Sequence, residues 1–123
     1  MATWTQDEFR EFVGGFTSAL RWADLEDSEA DFAPEADGRI SDECAAFLWR
    51  AAVYLRIVKI DNRWALAGHN FYLTRQGHGT GFWDSPEVWG PYENLLTRIA
   101  ESFGEIYPHV SDEVYGEAAK SYI

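Results

Sequence analysis

Apolar residues near the start of the chain recur with a helical period: Phe9, Phe12, Val13, Phe16 and Leu20 stand at i, i+3, i+4, i+7 and i+11. Just before them, Thr5-Gln6-Asp7-Glu8 spells a capping box, and Trp4 and Phe9 occupy the two positions of a hydrophobic staple. The pattern predicts a helix from about Gln6 to Trp22. Gly14 and Gly15 interrupt its stripe at roughly 1 kcal/mol each relative to Ala. A kink, or a close crossing by another element, would account for keeping them.

From Asp24 the period is lost, and acids alternate with small residues and Pro34, which predicts a mobile acidic loop over about residues 24–40. Ser41 is placed to cap a second helix, with Asp42 and Glu43 in its first turn and a stripe of Cys44, Phe47, Leu48, Ala51, Leu55 and Val58. A short helical turn through Trp64, Ala65 and Leu66 would then end at Gly68. Residues His69 to Arg75 read as a strand by alternation, and Gln76-Gly77-His78-Gly79-Thr80 turns the chain. Gly81 to Asp84 returns as the second strand of a hairpin. Pro91 opens a third helix with stripe Leu95, Leu96, Ile99 and Phe103, closed by Gly104. Glu105-Ile106-Tyr107 and Val114-Tyr115 flank a polar turn and read as a second hairpin. The expected fold is therefore a single α+β domain over residues 1–123. Its small antiparallel sheet of two hairpins, 69–84 and 105–116, would be covered by helices at 6–22, 41–60 and 91–103.

Composition agrees with a folded chain: 46% of the 123 residues are hydrophobic and 16% aromatic, unlike an acidic disordered segment. The charge changes the functional picture more. Of a net −11, residues 1–44 hold twelve acids against three bases, residues 45–85 two against five, and residues 86–123 seven against two. Such a surplus of carboxylates argues against nucleic acid as a direct ligand, because phosphate binding needs a dense basic surface. It fits a basic protein partner, met by carboxylates standing where a nucleic acid would present phosphates. The single cysteine, Cys44, excludes an internal disulfide and sits on the apolar stripe of a helix, as expected of a core thiol in a reducing cytoplasm. No basic segment leads into an apolar run at the N-terminus, and no 18 apolar residues occur in succession, so neither a standard export signal nor a membrane span is expected.

The densest run of specialised residues is Ala67-Gly68-His69-Asn70-Phe71-Tyr72-Leu73-Thr74-Arg75-Gln76-Gly77-His78-Gly79-Thr80-Gly81-Phe82-Trp83-Asp84. This AGHNFYLTRQGHGTGFWD stretch resembles a family of small, largely uncharacterised proteins of phages, plasmids and bacterial genomes, whose motif is of the type AGHDFWLTRNGHGAGFWD. The resemblance implies a mobile-element origin and carries no activity with it. Asn70 and Gln76 stand where the pattern has Asp and Asn, so an acid serving there as ligand or base would be missing.

Within the motif, His69, His78 and Asp84 have the donor atoms of a metal site but match no standard spacing. A histidine paired with Asp84 has the chemistry of a general base, with no Ser or Cys nucleophile beside it. Gly77, Gly79 and Gly81 around His78, reinforced by Arg75, could form an anion nest, without the lysine of a P-loop or the dinucleotide fingerprint. Against these stands a structural reading in which the glycines make a tight turn and Phe71, Phe82 and Trp83 fill the core. Trp22, Trp49, Trp64 and Trp89 are expected as packing anchors, and His109 as an exposed turn residue.

No metal and no cofactor are expected. The leading expectation is a non-enzymatic cytoplasmic interaction protein of a phage or other mobile element. It would inhibit a host nucleic-acid-targeting defence complex, of anti-CRISPR or anti-restriction type, by occupying a basic surface through Asp24, Glu26, Asp27, Glu29, Asp31, Glu35, Asp37, Asp42 and Glu43. The alternatives are a small enzyme or ligand-binding domain using His69, Arg75, His78 and Asp84, and a structural or assembly protein of a virion.

Overall fold

The computed structural model describes residues 3–111 and 118–123. Helix α1, Gln6–Asp24, starts as its sequence predicts. Thr5 Oγ1 accepts from the Glu8 amide at 3.1 Å and Glu8 Oε1 accepts from the Thr5 amide at 2.8 Å, so two of the four orphan N–H groups of the first turn are satisfied reciprocally. Its stripe of Phe12, Phe16, Ala19 and Leu20 is buried.

Helix α2 runs from Pro34 to Ile57 and so begins within the stretch expected to be a loop. Pro34 sits in its first turn, where a missing N–H costs nothing, and Ala36 and Ile40 extend the buried stripe of Cys44, Phe47, Leu48, Ala51 and Leu55 backwards by two turns. Ser41 is therefore inside the helix and does not cap it. The true loop is short, from Leu25 to Ala33.

The larger correction concerns residues 63–84. The expected hairpin at 69–84 does not form. Arg63–Arg75 is one helix, α3, and Gly68 lies in its interior, not at its end. Nine of its residues, including every one from Asn70 to Arg75, are buried. A helix enclosed on all sides loses its amphipathic period, which is why the alternation of Phe71, Leu73 and Arg75 imitates a strand. The α+β expectation fails with it: helix accounts for 65% of the chain and strand for 4%. Residues Phe82–Asp84 form a single 3₁₀ turn. The third predicted helix is divided into a four-residue helix α4, Pro86–Trp89, a 3₁₀ turn holding Pro91, and α5, Glu93–Glu101; Gly104 follows its end at φ +73°, as a helix stop requires.

The one sheet among the described residues is a two-stranded antiparallel pair, β1 (His109–Val110) with β2 (Ser121–Tyr122), in the register His109 to Tyr122 and Val110 to Ser121. Val114 and Tyr115, expected as a strand, lie outside the described residues.

The core forms where α3 is laid against α1, the most extensive helix pairing in the molecule. The two backbones approach closely because both carry glycine at the crossing. A Cβ on Gly15 would stand 1.9 Å from the Ala65 carbonyl oxygen, and one on Gly68 would stand 1.9 Å from the Phe12 carbonyl oxygen. That seam brings Phe71 within 4.3 Å of Phe47 and 5.3 Å of Phe16, ring centroid to centroid, with Phe82 and Phe103 completing the aromatic cluster. The glycine pair in α1 is thus half explained by a close crossing: Gly15 requires it, while a Cβ on Gly14 would meet nothing within 4 Å.

Candidate functional site

The motif residues are distributed by α3 and the turn after it, and they do not converge. His69 faces a cleft of about 440 Å³ between α1 and α3, with its ring stacked near Trp22 at 6.4 Å; burial lowers its pKa and favours the neutral imidazole. Arg75 is inside the protein. Its Nη1 lies 2.6 Å from Glu43 Oε1, its Nε donates to the Gly104 carbonyl at 2.8 Å and its Nη2 to the Phe103 carbonyl at 3.2 Å. The guanidinium therefore ties α2 to the end of α5, and is not available to an anion. Asp84 is exposed and accepts from the Gly81 amide at 3.0 Å, the first cause of its lowered pKa, so it closes its own turn. Among the described residues no group of three or more His, Cys, Asp and Glu side chains is placed to hold a metal ion.

His78 belongs to a different arrangement. Its Nε2 is 3.8 Å from Asp24 Oδ2, which accepts the hydrogen bond of the Tyr72 hydroxyl. Burial, and then the Asp24 carboxylate, push the Tyr72 pKa well up, so this hydroxyl stays a donor. Gln76 donates to the Tyr72 oxygen at 3.3 Å and is held against Ile106 by two backbone bonds of 2.8 Å. The network fixes Asp24 at the edge of a polar cleft of about 290 Å³, which Glu105 and Tyr107 also line. Tyr72 and Gln76 had no sequence signal for this role, since the contact joins residues 48 apart.

The acidic residues form the other candidate surface. Glu26, Asp27, Glu29, Asp31, Glu35, Asp37 and Asp42 are exposed and make no ion pair among the described residues. Acids elsewhere behave differently: Asp7 pairs with Arg10, and Glu8 with Arg56, whose hydrogen bond is the first cause of the lowered Glu8 pKa. Glu43 departs from the group, being half-buried between Arg39 at 2.7 Å and Arg75. Burial alone raises its pKa, and the two guanidinium groups reverse this to a net lowering.

The loop that carries these acids is pinned, contrary to the mobile loop expected. Arg21 Nη1 donates to the carbonyls of Ser28 at 2.6 Å and Ala30 at 2.9 Å, and its guanidinium lies over the Phe32 ring. From the other side the Ser121 hydroxyl donates to the Ala30 carbonyl at 2.9 Å, and its backbone bonds Asp31 and Ala33. Arg21, in the last turn of α1 just before the run of acids, is the one sequence signal that could have foretold this order. Glu26 and Asp27 both take left-handed conformations, φ 51° and 59°. For a non-glycine residue that costs about 1–2 kcal/mol.

No family model, curated protein or solved structure matches the chain. Among the described residues no helix is long and apolar enough to cross a membrane.

Proposed function

We propose that the protein is an acidic interaction module that binds a basic protein surface through the Leu25–Ala33 loop and the first turns of α2. One observation carries the reading: exposed carboxylates without cationic partners stand on a loop held rigid by Arg21 and Ser121. Holding charge in place before binding removes the ordering cost that a flexible acidic segment would bear. Keeping Glu26 and Asp27 in a turn that glycine or asparagine fits better is further support, because the fold itself gains nothing from acids there.

The concrete form is inhibition of a host nucleic-acid-targeting complex in the cytoplasm, of anti-CRISPR or anti-restriction type, by a protein of phage or mobile-element origin. The motif at 67–84 supports that origin by its resemblance. Carboxylates at loop spacing occupy a lysine and arginine groove and exclude its phosphate ligand, and opposite charge accelerates the encounter. Catalysis is no part of this function.

The test is a charge-neutral variant carrying E26Q, D27N, E29Q, D31N, E35Q and D37N. Immobilised wild-type protein retains basic nucleic-acid-binding proteins from an expressing host at about 0.1 M salt and releases them at about 0.5 M, where the Debye length is only a few Å. The variant retains none of them. Equal retention by the variant, or retention indifferent to salt, contradicts the reading.

A further inference from the structure

Helix α2 has a second apolar stripe that the core does not use. Trp49, Val53 and Ile57 stand at i, i+4 and i+8 on one ridge and are 68%, 54% and 53% exposed. Where the ridge ends at Ile57, a groove of about 270 Å³ begins, walled by Ile60, Val88 and Tyr92 with Lys59 and Glu87 at its edge. Ridge and groove are thus neighbours on one face. We propose that this face binds a second copy of the chain, in a two-fold arrangement that runs the two α2 helices antiparallel about an axis near Ile57.

The geometry follows from the helix itself. Trp49 is eight residues from Ile57, about 12 Å along the axis. A two-fold axis at Ile57 reverses the direction of the second helix and brings that copy's groove to the place where the first copy's Trp49 projects. The contact is then made twice, ridge into groove and groove onto ridge, which is the self-complementarity an isologous dimer requires. Ridges of residues spaced by four are also the commonest class in helix packing.

Charge selects the same occupant. Arg50, Arg56 and Lys59 flank the ridge, so the basic partner of the acidic loop is repelled from it. A second copy, at net −11, is not, and its Glu87 lies in the groove that faces Arg50. Lys59 in the groove meets the Trp49 indole with the geometry of a cation–π contact.

The area is sufficient. A full tryptophan is worth about 150–250 Å², so the exposed parts of the three ridge residues come to about 300 Å², the size of the largest apolar patch on a typical monomer. Each ridge covers an equal area of groove, and two such contacts bury about 1,200 Å² in all, the lower bound of stable interfaces. Micromolar dimerisation is the expected strength.

Sedimentation velocity on the full chain, loaded from about 5 to about 200 µM, tests this directly. The wild type shifts from the 14.0 kDa monomer towards twice that mass as concentration rises. The shift grows between about 0.1 and 0.5 M salt, because long-range repulsion between two acidic chains is screened while the apolar contact is not. Salt weakens the loop's binding of a basic partner, so the two readings fail independently. W49E and V53E each remain monomeric with an unchanged circular dichroism spectrum, whereas W22E, at another exposed tryptophan, dimerises like the wild type. A wild type that stays monomeric at the highest concentration and salt, or folded W49E and V53E variants that still dimerise, overturns the proposal.

Discussion

Two adjacent glycines in α1 should respond to the same substitution with opposite signs. Gly15 needs its missing side chain: an added Cβ meets the Ala65 carbonyl oxygen at 1.9 Å, where ordinary contact begins at 3.4 Å, so α1 and α3 must separate by about 1.5 Å at that point. What obstructs is backbone, which cannot swing aside. The separation is transmitted to the pairs Phe16–Phe71 and Phe16–Tyr72, whose centroids are 5.3 and 5.2 Å apart. A radial gap of 0.5–1 Å already forfeits about a quarter to a half of a dispersion contact. Overpacking costs about 1–3 kcal/mol, and obstruction by backbone places this site at the upper end. Even after about 1 kcal/mol of regained helix propensity, Gly15→Ala should lose about 2 kcal/mol net, or about 8 °C in Tm. Gly68→Ala, which meets the Phe12 carbonyl at the same distance, should lose as much. At Gly14 a Cβ meets nothing, and Gly14→Ala should gain about 0.5–1 kcal/mol. Urea unfolding at neutral pH, followed by far-ultraviolet circular dichroism with the slope compared between variants, measures all three. Gly14→Ala and Gly15→Ala agreeing within about 0.5 kcal/mol would refute the close crossing.

Further expectations concern the buried ion pair and the thiol. Arg75→Lys should destabilise by about 2 kcal/mol, since one ammonium cannot serve Glu43 and the carbonyls of Phe103 and Gly104 together; chemical denaturation decides, and a neutral result would remove Arg75 from its stapling role. The Glu43 pKa is lowered on folding, so its contribution is present above the unfolded-state value of about 4.3 and is lost as pH falls through the folded one. Stability measured across that acid range should therefore decline with falling pH, and E43Q should flatten the decline. Cys44 is fully buried and burial drives its pKa far up, so a thiol reagent at neutral pH should label it only at the rate of unfolding, and mild denaturant should accelerate labelling.

The parts of the fold that were legible are those whose signals are local. The Thr5–Glu8 box and the spacing of Phe12, Phe16 and Leu20 need nothing beyond a few neighbours, and α1 appears where they place it. Gly104 likewise ends α5 by a conformation it alone adopts cheaply. Helix α3 was not legible, because periodicity reports a boundary between core and water, and a segment buried from Asn70 to Arg75 has none. The same run of specialised residues then drew attention as chemistry, when Gly68 is there for a helix crossing and Arg75 for an internal ion pair. The start of α2 was hidden by acids that belong to its first turn, and its ridge of Trp49, Val53 and Ile57 was visible as a second stripe but was eclipsed by the core stripe beside it. Contacts such as Tyr72 to Asp24 depend on tertiary placement and leave no trace in either local stretch.

The account depends most on carboxylates of the Leu25–Ala33 loop and early α2 taking the place of phosphates on a basic partner. Once a retained partner is purified, the direct measurement is displacement of a fluorescent DNA or RNA duplex from it, read by anisotropy as the protein is titrated at about 0.1 M salt. The wild type should release the duplex completely, and the six-fold neutral variant should release none. A ternary complex with the duplex still bound, or equal release by the two proteins, would contradict the account.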